Sequence, residues 1–68
     1  MMNKEYIGAI RFDGNSKKYF FSTDDDSYKY GDRVLVRLKN GDLEEVNFVE
    51  YAPILGKMPP CPIIKKLG

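Results

Sequence analysis

From Ser27 to Tyr51 the chain reads SYKYGDRVLVRLKNGDLEEVNFVEY. This one stretch holds a Gly-Asp turn, an apolar alternating strand, an Asn-Gly-Asp hairpin and a second alternating strand. Two alternating runs joined by Asn-Gly are the strongest short-range signal for an antiparallel hairpin. A chain whose centre is such a hairpin folds around a small antiparallel sheet.

The hairpin register follows from the apolar pattern. A two-residue Asn40-Gly41 turn pairs Val36 with Glu45 and Val34 with Asn47, which sets apolar against polar. A three-residue loop with Gly41 as a bulge shifts the pairing by one. Val34, Val36, Leu38, Val46 and Phe48 then share one face. A one-residue slip moves every side chain to the other face, so the second register is expected.

The flanks extend the pattern. Glu5 to Phe12 reads as a first strand, with Tyr6, Gly8, Ile10 and Phe12 on one face and Ile7 and Ala9 on the other. Asp13 to Ser16 is a turn. Lys18 to Thr23 is an aromatic second strand, and residues 23–27 are a polar loop. Arg33 to Leu38 and Leu43 to Tyr51 are the third and fourth strands. The prolines at 53, 59, 60 and 62 make residues 52–62 a fixed-route connector. Ile63 to Leu67 is expected as a fifth strand, paired with the first. No segment carries the 3.6-residue period of a long helix. The expected fold is all-β, a five-stranded antiparallel barrel in one domain over 1–68.

Tyr6, Phe12, Tyr19, Phe21 and Phe48 are expected to fill that barrel. Phe20 stands between two inward aromatics and must look outward, either against the connector or into solvent.

Composition removes most chemistry. Histidine is absent, which excludes Ser-His-Asp and Cys-His arrangements and the usual zinc sites. The lone Cys61 rules out an intramolecular disulfide; a small secreted domain usually carries several, so a cytoplasmic protein is expected. The start of the chain lacks the apolar run of a signal peptide, and no span is long enough for a membrane. Prolines flank Cys61 and supply no activating base, so it reads as a small packing residue rather than a reactive thiol. No cofactor is expected and no catalytic residue is assigned.

Asp24-Asp25-Asp26 is an acidic cluster without the alternating acids, central Gly and distal Glu of a calcium loop. It reads as a solvated loop tip or a contact for a basic partner, not as a metal site. Together with Phe20, Tyr28 and Tyr30 it forms the expected protein-binding edge. In that reading the tyrosines are anchors and Asp24, Asp25 and Asp26 steer the partner.

A basic outer face is the alternative. Arg33, Arg37 and Lys39 are its centre, with Tyr28, Tyr30 and Tyr51 available to stack on bases. A net charge of +1 favours ordinary cross-strand pairing instead, for example Arg37 with Glu45. A structural homo-oligomer built through Phe20 or the last strand is a third reading, set against a monomer or a weak oligomer.

Two resemblances add to this. Lys29-Tyr30-Gly31-Asp32-Arg33-Val34-Leu35-Val36 resembles the diverging turn and following strand of SH3-like barrels. The tryptophan and the Ala-Leu-Tyr-Asp-Tyr box of proline-binding SH3 domains are missing, so that resemblance implies fold and not proline-peptide recognition. The whole pattern, with Tyr19-Phe20-Phe21-Ser22-Thr23 before the Gly-Asp strand and Ile63-Ile64-Lys65-Lys66 near the end, looks like small proteins of phages and prophages of low-GC Gram-positive bacteria. That likeness implies a stand-alone accessory protein that contacts another protein, such as a host factor.

Overall fold

The computed structural model describes residues 4–68. It is all-β, with β1 Tyr6–Arg11, β2 Tyr19–Thr23, β3 Arg33–Arg37, β4 Leu43–Ala52 and β5 Ile63–Lys66. They form one antiparallel sheet in the order β2-β1-β4-β3-β5.

The β3–β4 hairpin takes the bulged register. Val34 pairs with Val46 and Val36 with Glu44. The Leu38 N–H donates to the Asp42 carbonyl at 2.8 Å, and the Gly41 N–H donates to the Leu38 carbonyl at 2.9 Å. Gly41 sits at φ 94°, a conformation that glycine adopts without steric cost. Val34, Val36, Val46 and Phe48 are buried as the pattern requires, and Leu38 packs against them.

β5 pairs with β3 and not with β1. Both edges of β1 are taken, by β2 and β4, whereas the second edge of β3 is open. The approach to β5 also touches β2. The Ser22 N–H donates to the Cys61 carbonyl at 2.9 Å, and the Arg37 N–H donates to the Pro62 carbonyl at 3.1 Å. The edge strands thus meet at a Ser22–Pro62 bridge, and the sheet curls without closing.

β4 breaks strict alternation. Ala9 pairs with Glu50 but Ile10 pairs with Phe48, so Val49 is an extra residue opposite β1. The bulge lets Phe48 and Tyr51, three residues apart, both point inward with ring centroids 4.9 Å apart. The core gathers Ile10, Phe21, Tyr28, Val34, Val36, Val46, Phe48 and Ile63. Phe12 and Tyr19 pack against it, and Tyr6 lies edge-on to Tyr51 at 5.9 Å. Cys61 is half-buried against the same cluster.

β1 is buried on both faces: Gly8 and Ile10 look into the core, and Ile7 and Ala9 are covered on the outer side. Lys18, just before β2, and Glu50 on β4 meet across β1 at 2.8 Å.

Candidate functional site

Tyr28 is not a surface anchor. It is 6% exposed and packs on Phe48 with centroids 5.4 Å apart. Burial pushes its phenol pKa up, and the carboxylates of Asp25 and Asp24 add to that. Its position in a polar stretch hides this, because the contact is made by the loop folding back over β4.

Tyr51 holds that loop down. Its hydroxyl donates to the Asp25 carbonyl at 2.6 Å and accepts from the Tyr28 N–H at 3.0 Å. It is therefore a structural tie and not a stacking platform. Tyr51→Phe keeps the ring and strands both backbone groups. The expected loss is about 1–3 kcal/mol, the usual cost of partly buried groups left unpaired. Urea unfolding should show a lower midpoint, and amide exchange at Tyr28 should accelerate. An unchanged Tyr28 protection would mean that the loop is held by the Tyr28 ring alone.

The acidic residues divide. The Asp25 carboxylate accepts from the Ser27 hydroxyl at 2.5 Å and from the Ser27 N–H at 2.8 Å. These bonds, the hydroxyl first, hold its pKa below the usual range. Asp25 is thus spent on the turn, while Asp24 and Asp26 stay exposed. Among the described residues no group of three acidic or cysteine side chains is placed to hold a metal.

The basic set divides as well. The Arg33 guanidinium donates to Asp13 at 2.8 Å and to the Asn47 side-chain oxygen at 3.3 Å, and it lies 3.6 Å from Glu45. The hydrogen bond from Arg33 lowers the Asp13 pKa, and the same bond raises that of Arg33. Arg33 is neutralised and does not offer a free charge to a polyanion. Arg37 faces Leu43 and not Glu45. Arg37 and Lys39 remain exposed.

Phe20 and Tyr30 are exposed, at 52% and 74%, but they line different depressions. The expected continuous edge from Phe20 to Tyr30 is therefore two surfaces. Phe20 looks outward from β2 and forms one wall of a groove of about 400 Å³. Ile7 lines it from β1, and Pro53, Leu55, Lys57 and Pro59 line it from the connector. Leu55 is 88% exposed and Ile54 beside it is also exposed. Exposed apolar residues gathered around a concave surface mark binding sites more often than they mark chance. No family model, no curated protein and no solved structure matches this chain. The groove and its residues are the argument for function.

The connector residues escape a sequence reading. Prolines announce that residues 53–62 leave the sheet, but a segment without periodicity has no face to assign. The one available signal was the pair Ile54-Leu55, apolar where a solvated loop needs neither. Among the described residues no helix is long and apolar enough to cross a membrane.

Proposed function

We propose that this protein is a non-catalytic binding module, a small SH3-like barrel that holds an extended apolar segment of a partner protein. The observation that carries this is the groove between Phe20 and the connector. Its walls are apolar, and Pro53 and Pro59 fix the backbone φ at the two ends of its connector side. Lys57 lines it and makes no ion pair among the described residues. A segment with two apolar side chains and a nearby carboxylate matches that lining. Asp24, and Asp26 although it accepts a hydrogen bond from the Tyr6 hydroxyl at 3.4 Å, are exposed charges that steer a basic region of the same partner. Following the likeness to phage and prophage proteins, we take the partner to be a host protein and this chain its accessory or modulator.

Capture from bacterial lysate with the tagged protein tests this. Wild type should retain a stoichiometric protein that survives nuclease treatment. Phe20→Asp and Leu55→Asp should each weaken capture by about 30-fold or more, the scale of a hot-spot loss. Both sites are exposed, so the thermal midpoints should change little. Undiminished capture by both variants would overturn the reading. Sedimentation at high concentration should give a monomer; a dimer lost in Leu55→Asp would assign the groove to a second copy of the chain.

A further inference from the structure

The second depression, around Arg11, is distinct from the groove and has its own chemistry. It encloses about 220 Å³ and is lined by Arg11, Tyr30, Gly31, Asn47, Phe48 and Val49, with no carboxylate among them. The Nε of Arg11 is buried and has no hydrogen-bond partner. A buried donor without an acceptor is uncommon in a folded protein and calls for an explanation.

The neighbouring charges do not supply that acceptor. Asp13 and Glu45 are engaged by Arg33, Asp32 lies 3.8 Å from Lys66, and Glu50 is paired with Lys18. Among the described residues Arg11 and Lys29, which precedes Tyr30, have no carboxylate within 4.0 Å. Asn47 turns its side-chain oxygen to Arg33 at 3.3 Å, which leaves its amide N–H groups as donors. Two strands carry these donors to one place, since Arg11 and Asn47 are paired across β1 and β4. Tyr30 adds a ring that is mostly free of protein contact.

A planar ring beside an uncompensated guanidinium and an amide donor matches a nucleotide: the base stacks on Tyr30 and the phosphate accepts from the terminal N–H groups of Arg11, since its Nε is closed to a ligand. We propose that this depression binds one nucleotide of a single-stranded nucleic acid, or a free nucleotide, through Arg11, Tyr30 and Asn47. A base in a duplex is already stacked on its neighbours and cannot lie on Tyr30, so single strands are preferred. The site differs from one centred on Arg33, Arg37 and Lys39, because Arg33 is already neutralised.

The test is fluorescence anisotropy of labelled oligo-dT and oligo-rU, a duplex of the same length, and competition by UMP, all from low salt upward. Single strands are expected to bind and the duplex to bind more weakly. Tyr30→Ala should weaken binding by about fivefold or more, the lower end for one stacked base, and Tyr30→Phe should restore it. Arg11→Ala should weaken binding and reduce the slope of log affinity against log salt by about 0.7, the value for one phosphate on a single strand. Tyr30 is exposed, so its variants keep the test intact if Arg11→Ala fails to fold. Competition by UMP at the oligonucleotide's own affinity assigns the site to a free nucleotide; much weaker competition assigns it to a strand. Phe20→Asp should leave oligonucleotide binding unchanged, which separates this result from that of the groove. Absence of binding at low salt, or binding indifferent to Arg11 and Tyr30, would overturn the proposal. So would capture of a phosphotyrosine peptide in place of the oligonucleotide.

Discussion

Tyr28→Ala is expected to remove about a third or more of the fold's stability, whereas Tyr30→Ala two residues away is expected to leave stability unchanged. Tyr28 is buried against Phe48, and Tyr30 stands in solvent. Truncating a buried aromatic costs about 3–5 kcal/mol through lost transfer energy and a residual cavity. The whole fold of a 68-residue chain is held by roughly 3–10 kcal/mol. A loss of 3 kcal/mol lowers the thermal midpoint of a domain this size by about 12 °C or more. Thermal unfolding followed by circular dichroism gives the comparison directly. Equal midpoints for the two variants would place Tyr28 outside the core. Partner capture must therefore not be judged from Tyr28→Ala, since loss of fold would pass for loss of contact.

Gly8→Val is the second large effect expected. Gly8 faces the core from the middle of β1, opposite Phe21 on one side and Tyr51 on the other. A Cβ there would lie 2.9 Å from Ile63 Cδ1 and 2.9 Å from Phe48 Cε1. Valine adds two further methyl groups to that contact, and overpacking of this kind costs about 3 kcal/mol. Alanine should cost less because the end of Ile63 can move. The clash is specific, so it has a specific remedy: Ile63→Val removes Cδ1. In a double-mutant cycle Gly8→Ala with Ile63→Val should cost less than the sum of the two by about 0.5 kcal/mol or more, as residues in contact do. Additive costs would show that Phe48, and not Ile63, is the obstacle. Gly8 also explains how β5 is held. Ile63 reaches across the core to the space that glycine leaves on β1, although its backbone pairs with β3.

The parts legible in the sequence are those set by neighbours in the chain. The register of β3 on β4 follows from Val34, Val36, Val46 and Phe48 and from the conformation Gly41 permits. The outward position of Phe20 follows from Tyr19 and Phe21 on either side. The departure of the chain from the sheet after Ala52 follows from its prolines. Each depends on alternation or on a local backbone limit, and both are properties of a few adjacent residues.

Other features depend on contacts between distant segments, and local pattern is silent about those. Tyr28 lies between Ser27 and Lys29 and has the surroundings of a loop residue, yet the ring is core because Tyr51 ties the loop to β4. The four residues of β5 can hydrogen-bond to any free edge, and of the two edges open to it, those of β2 and β3, it pairs with β3. Val49 bulges to let both Phe48 and Tyr51 face inward, which no alternation rule anticipates. Arg33 reads as a free charge until the turn before β2 delivers Asp13 to it, and Arg11 reads like any other arginine until its Nε is buried without an acceptor. Periodicity and turn chemistry thus made the strands and their faces, because these are short-range steric and solvation effects. Which edges met, which polar groups were satisfied and where two concave surfaces opened were settled by packing, because each needs groups far apart in the chain to occupy one place.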